Sequence, residues 1–148
     1  MISVEVHVDT SRFDRMLSDL PAAMARAQQK SLKAIGGVVK RHTVDAFRDP
    51  SLRPSPWPPR KSGGTHPLLI KSGNMRQGIG YRLQGDDTVV VGTPAKYAGY
   101  HQTGTKHMPA RPFFPVDKNG NLTPRVMDDI MANVQAIYDA ELEKLCGR

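Results

Sequence analysis

Two histidines, His101 and His107, stand six residues apart in the segment Tyr97–Pro115, on either side of the turn residue Gly104. Imidazole serves both as metal ligand and as general base, so catalysis would be sought here first. A hydrolytic metal site also needs a third ligand and a group to handle the proton of water. No aspartate or glutamate lies between Asp87 and Asp117. A metal-dependent hydrolase built on His101 and His107 therefore stands behind a plainer reading, in which His101 packs in or beside a short helix and bonds a backbone carbonyl. HExxH, P-loop and GxSxG patterns are absent. The carboxylate pairs Asp86-Asp87 and Asp128-Asp129 fall in a turn and at a helix start, where turn geometry and the helix dipole account for them. Cys146 is the one cysteine, so there is no intrachain disulfide framework and no CxxC zinc pattern. The expectation is a protein that is not an enzyme, with no catalytic residue, metal site or cofactor.

Charge is the second candidate. The formal net charge is +7 over 148 residues. From Pro50 to Val116 the only acids are Asp86 and Asp87, against Arg53, Arg60, Lys61, Lys71, Arg76, Arg82, Lys96, Lys106 and Arg111. A basic middle of this kind attracts nucleic acid or an acidic protein face, or simply solvates a surface. Only Trp57 and Tyr81 interleave with the basic residues of the Pro50–Arg82 stretch, which is thin for a platform that stacks single-stranded bases. No zinc-finger, ribonucleoprotein or basic-zipper pattern is present. A charge-driven nucleic-acid binding module is kept as the alternative function. No signal peptide and no apolar run near the ~18 residues of a membrane helix are seen, and the single cysteine suits a reducing, cytoplasmic setting.

The elements that would position these residues follow from periodicity. Ile2, Val4, Val6 and Val8 alternate with Ser3, Glu5, His7 and Asp9, which predicts a half-buried strand with His7 toward solvent. Thr10 or Ser11 would cap a helix starting near Arg12, with Pro21 interrupting or restarting it and helical pattern running on to about Phe47. Gly36-Gly37 in its middle marks either a kink or a close helix contact. Asp49–Pro67 reads as a long loop with six prolines, functional or disordered by its length. Trp57 either pins this loop onto its own domain or orders it against a neighbour. Ile79–Gln84 and Thr88–Gly92 form a hairpin about the turn Gly85-Asp86-Asp87, and Pro94–Thr103 a short helix ended by Gly104. Pro109-Ala110-Arg111-Pro112-Phe113-Phe114-Pro115 is a stiff extended arm, since each proline fixes φ and restricts the residue before it; it could be an edge strand. Thr123 caps, and Pro124 opens, an amphipathic C-terminal helix carrying Val126, Ile130, Val134, Ile137, Tyr138, Leu142 and Leu145, with Lys144 and Arg148 near its end. The fold class expected is α+β over a single domain, residues 1–148: a small antiparallel sheet packed with a long N-terminal-half helix and a C-terminal amphipathic helix, plus the Pro-rich loop.

Several ordered pieces together resemble the phage virion morphogenesis family, the tail completion proteins of tailed phages: Trp57-Pro58, Leu68-Leu69 with Ser72-Gly73, Val90-Val91-Gly92-Thr93, and Tyr97-Ala98 with His101-Gln102, Gly104 and Pro109–Phe114. No piece is specific alone; their order is. The long Pro-rich loop and Lys106-His107-Met108 depart from the family pattern. The resemblance implies a structural virion protein that completes the tail or neck so that head and tail join, located in the virion neck or tail and in the host cytoplasm during assembly. It implies a homo-oligomeric ring, a hexamer or dodecamer, around the DNA channel, with phage neck and tail proteins as partners, non-specific contact with packaged DNA, and no membrane. The interface residues expected are Trp57, Tyr97, Tyr100, His101, Arg111, Phe113 and Phe114. Adjacent side chains of an extended segment point to opposite sides, so one phenyl ring would enter the home domain and the other a partner; the competing reading puts both in the core. Arg53, Arg60, Lys61, Lys71 and Arg76 are the candidates to face DNA.

Overall fold

The computed structural model describes residues 3–147, with the element order α1 (Ser11–Asp45), α2 (Asn74–Gln77), β1 (Gly80–Gln84), β2 (Thr88–Gly92), α3 (Ala98–Thr103) and α4 (Pro124–Cys146). A single turn of 3-10 helix at Pro50–Leu52 follows α1. The arrangement is α+β, with a two-stranded antiparallel sheet and two long helices.

Helix α1 is continuous through Pro21. The bond that Pro21 cannot donate belongs to an exposed face of the helix, where the orphaned carbonyl four residues back is solvated. α4 runs antiparallel to α1, because Arg12 donates to the Cys146 carbonyl at one end and His42 meets Asp129 at the other. Between them Val38, Val39, Val126 and Ile130 form one apolar cluster, each buried side chain contributing about 1.5–3 kcal/mol over its exposed state. Pro124 occupies the first turn of α4 as expected, while Thr123 sits at the cap position with no side-chain capping bond.

The hairpin pairs Gly80 with Gly92 through Gln84 with Thr88, and Gly85 turns with φ 67°. Tyr81 and Val89 face α1 at Gly36, where a Cβ would stand 2.4 Å from Tyr81 Cδ2 and 2.9 Å from Val89 Cγ2. Gly36 is therefore a close contact between helix and hairpin, and the kink alternative fails. Gly37 has nothing within 4 Å of an added Cβ. Val91 of β2 packs against both apolar clusters, and β1 is the more exposed of the two strands. The second cluster joins Phe47 at the end of α1 to Met75, Ile79, Ala98 and Phe113.

Two elements differ from the sequence expectation. The N-terminal strand does not form: Val4, Val6 and Val8 are 84%, 75% and 75% exposed, and the stretch has no regular structure (Ile2 lies outside the described residues). Alternation specifies a strand only where another strand accepts its backbone, and none among the described residues does so. The short helix begins at Ala98 instead of Pro94. Arg148, expected near the end of the C-terminal helix, also lies outside the described residues.

Candidate functional site

The arm Pro109–Pro115 runs through the middle of the protein. Pro112 and the other prolines leave few N–H groups, so the arm cannot join a sheet and is held largely by side chains. Among the described residues its neighbourhood has only an isolated bridge between Val116 and Leu122. Gln102 of α3 accepts from the backbone N–H of Phe113 and of Phe114 with one oxygen, at 3.0 and 3.1 Å. The Arg111 N–H donates to the His101 carbonyl. The Arg111 guanidinium donates to the carbonyls of Pro58 and Pro59, both at 3.0 Å. Trp57 Nε1 donates to the Pro112 carbonyl at 2.7 Å. Proline carbonyls are strong acceptors with no competing N–H on the same residue, which suits them to the three bonds from Arg111 and Trp57.

Gly104 makes the arm's entry possible. Its φ of 76° lies in the left-handed region, and an added Cβ would stand 2.8 Å from the Ala110 nitrogen. Only glycine meets both conditions.

The arm is thus an internal latch, which corrects two sequence expectations. Phe113 is 0% exposed and Arg111 9%, so neither presents a surface to a neighbour. The two phenyl rings do not diverge either: both join the Phe47 cluster, with centroids 4.8 Å apart. The chain bends at Phe114, with a Val116 N–H to Phe114 carbonyl bond around Pro115, so the segment is not extended there and strict alternation does not hold. Trp57 packs edge-on to Phe47 with centroids 6.0 Å apart, half-buried, and pins the Pro-rich loop to its own domain.

What the latch holds toward solvent is α3. Tyr97 and Tyr100 are 44% and 59% exposed. His101 lies half-buried beside them, edge-on to Tyr97 at 6.0 Å, with Nδ1 buried and unpartnered. Burial, and then the charge of Arg111, push the His101 pKa below its ordinary value, so the ring is neutral at neutral pH. Tyr97 and His101 share a cleft of about 290 Å³ with Leu69, Lys71, Ser72 and Met75. Leu69 holds φ 62°, a left-handed conformation that costs a bulky residue about 1–3 kcal/mol. His107 is exposed on the far side of the turn. Among the described residues no group of three or more His, Cys, Asp or Glu is placed to hold a metal ion.

The DNA-facing candidates divide. Arg53 is committed to structure: it lies 3.6 Å over the Trp57 ring and donates to the carbonyls of Ala46 and Phe47. That corrects its assignment to a phosphate. Arg60 donates to the His66 carbonyl and contacts the His66 ring. Arg76 is half-buried, with Nε enclosed and unpartnered. Lys61 and Lys71 are exposed.

Three residues escaped the sequence reading. Gln102 counted only as part of the family resemblance, and its bonding role was missed because a glutamine on a short helix is ordinarily a surface residue. Glu141 did carry one: it falls at core spacing between Tyr138 and Leu145. It is 2% exposed and meets Lys30, Arg26 and Lys144. The Lys30 hydrogen bond foremost, with Arg26 and the Lys144 charge behind it, lowers its pKa to about 2 against the opposing effect of burial. His42, 5% exposed on α1, meets Asp129 of α4 at 2.6 Å. The pair ties the two helices together at the rim of a cleft that Arg41, Arg48 and Arg125 also line.

With this geometry in place, comparison with known proteins is informative. The sequence model of the phage virion morphogenesis family matches residues 8–135. The chain belongs to the phage virion morphogenesis family. Mu-like prophage FluMu G protein 1 of Haemophilus influenzae is 36% identical over 78 residues, 53% of this chain and 47% of that protein. The chain thus spans about half the length of this curated relative. No solved structure matches. A phage virion morphogenesis protein has a structural, assembly-related role, of a kind typically structural and not catalytic. No helix among the described residues is long and apolar enough to cross a membrane.

Proposed function

We propose that this protein completes the tail or neck of a tailed phage or prophage and enables head and tail to join, through ring-type oligomerisation around the DNA channel. The observation that carries this reading is the display of Tyr97 and Tyr100 on a helix clamped from behind. Exposed tyrosines on a rigid mount give large contact area at little entropic cost, and aromatics are usual interface anchors. α3 would be mobile as an isolated helix of six residues; the bonds from its His101 carbonyl and Gln102 to the buried arm fix it before any partner arrives. The protein acts by forming interfaces, with sister copies and with the neck and tail proteins beside it, and carries out no chemical step. Its places are the host cytoplasm during assembly and the neck or tail of the finished virion. Lys61 and Lys71 give a lumen diffuse positive charge, enough for non-specific contact with packaged DNA.

Negative-stain imaging of the purified protein, with light scattering across concentration, tests the reading. Closed rings that Tyr100→Ala disperses are the expected result. A monomer at every concentration, alone or with neck and tail proteins, would refute it. Salt-titrated binding to duplex DNA tests the nucleic-acid alternative: submicromolar affinity at physiological salt with a steep salt slope would move the function there.

A further inference from the structure

The stretch Ser3–Asp9 has a strand's sequence and no sheet. Val4, Val6 and Val8 stand 75% or more exposed in alternation with Ser3, Glu5, His7 and Asp9. Among the described residues no backbone–backbone hydrogen bond involves Ser3–Asp9. At the same time, among the described residues, the edge of β1 away from β2 pairs with no strand, and β1 is the more exposed of the two strands. The surface beyond that edge is apolar on the α1 side, since Tyr81 faces α1 and is still 41% exposed. We infer that Ser3–Asp9 of one copy adds as a third strand to the β1 edge of a second copy, linking successive subunits. The inference rests on the assembly reading above.

Reach decides that the acceptor is another copy. Gln28 of α1 donates to the Asp86 carbonyl, which fixes the hairpin tip beside Gln28. At 1.5 Å per helical residue Gln28 stands about 26 Å along α1 from Ser11, and Gly36, opposite Tyr81, about 37 Å. Fully extended chain from Ser11 back to Val4 reaches about 24 Å. Only Ser3, at about 26–29 Å when fully extended, comes level with the tip of its own hairpin, whereas a strand must lie alongside β1 with Val4, Val6 and Val8 all beyond the tip.

Side-chain chemistry fits the edge. Alternation puts Val4, Val6 and Val8 on one face, where they would continue the row of Tyr81 and Leu83 over α1. The other face then carries Glu5 and Asp9 to the side on which Arg82 points. Main-chain bonds supply affinity in such strand addition and alternate side chains supply specificity. A contact handed from each copy to the next is head-to-tail, which is the type that closes rings.

Val6→Pro in the full chain is the test, because Val6 is 75% exposed in the monomer and proline removes a donor from the middle of the strand. Sedimentation should show the association constant falling at least about tenfold, the loss of one anchor contact. Hydrogen exchange of the β1 amides should slow in the assembled wild type and return to the monomer rate in the variant. Unchanged association and unchanged β1 exchange in Val6→Pro overturn the inference and leave the assembly reading standing. Lost association without any β1 protection in the wild-type assembly also overturns it, placing the segment on another surface. A wild-type chain that never associates sinks both.

Discussion

Phe113→Ala separates the latch from an interface. The ring is fully enclosed between Phe47, at a centroid distance of 5.2 Å, and Phe114. Removing an enclosed phenyl group costs its transfer free energy and leaves a cavity, together about 3–5 kcal/mol. The site collapses poorly, because Gln102 and the prolines hold the arm's backbone in place. For a domain of this size each kcal/mol lowers Tm by about 2–4 °C, so the variant should melt about 6–20 °C lower. Tyr100→Ala removes a ring that is 59% exposed; its stability should change by no more than about 0.5 kcal/mol. If Tyr100 anchors an interface, its association should weaken by about 2 kcal/mol, roughly thirtyfold. Differential scanning calorimetry paired with sedimentation on the two variants reads both axes. A Phe113→Ala protein that melts within about 3 °C of wild type but no longer assembles would refute the core placement on which the latch rests.

Three further perturbations follow. Gly36→Ala should cost about 1–3 kcal/mol by pushing Tyr81 and Val89 off the helix, whereas Gly37→Ala, with open space around it, should stabilise by up to about 1 kcal/mol; chemical denaturation compares them, and equal effects would remove the close contact. Gln102→Leu strands the Phe113 and Phe114 N–H groups and should destabilise by about 1–3 kcal/mol per group left unpaired; thermal melts check it, and a neutral outcome would mean the arm has other support. The Glu141 pKa is depressed in the folded state, so its stabilisation is present above its unfolded pKa of about 4.5 and is lost as pH falls toward about 2. Glu141→Gln should therefore flatten the stability profile in that window. Asp117 and Asp49, held low by the Asn121 backbone N–H and by the Ser51 hydroxyl respectively, keep part of the slope, and an unaltered profile in Glu141→Gln would deny it a role.

Local pattern went a long way in this chain. The hairpin was legible because β-branched residues at Thr88–Gly92 and the Gly85-Asp86-Asp87 turn act over a few residues. The two long helices were legible because a 3.6-residue period needs no partner to be seen. The family could be named because ordered fragments along one chain survive whatever the tertiary packing does to them.

The arm shows where local reasoning ends. Its stiffness is a property of the Pro109–Pro115 sequence, but its address is not. An extended segment presents alternate faces only while it stays extended; this one bends at Phe114, and both rings end in one cluster. Whether a proline-rich strip is buried depends on acceptors and donors far along the chain: Gln102 for its N–H groups, Trp57 for its carbonyl, and the Pro58 and Pro59 carbonyls for Arg111. The N-terminal valines make the same point from the other side, since alternation wrote a strand and the fold of one copy supplies no edge within its reach. Composition, periodicity and turn chemistry determined the two long helices and the hairpin, because each is settled by forces acting within a turn or two. Only the packing decided which of them face solvent, because burial is a contest among all the segments for one small core.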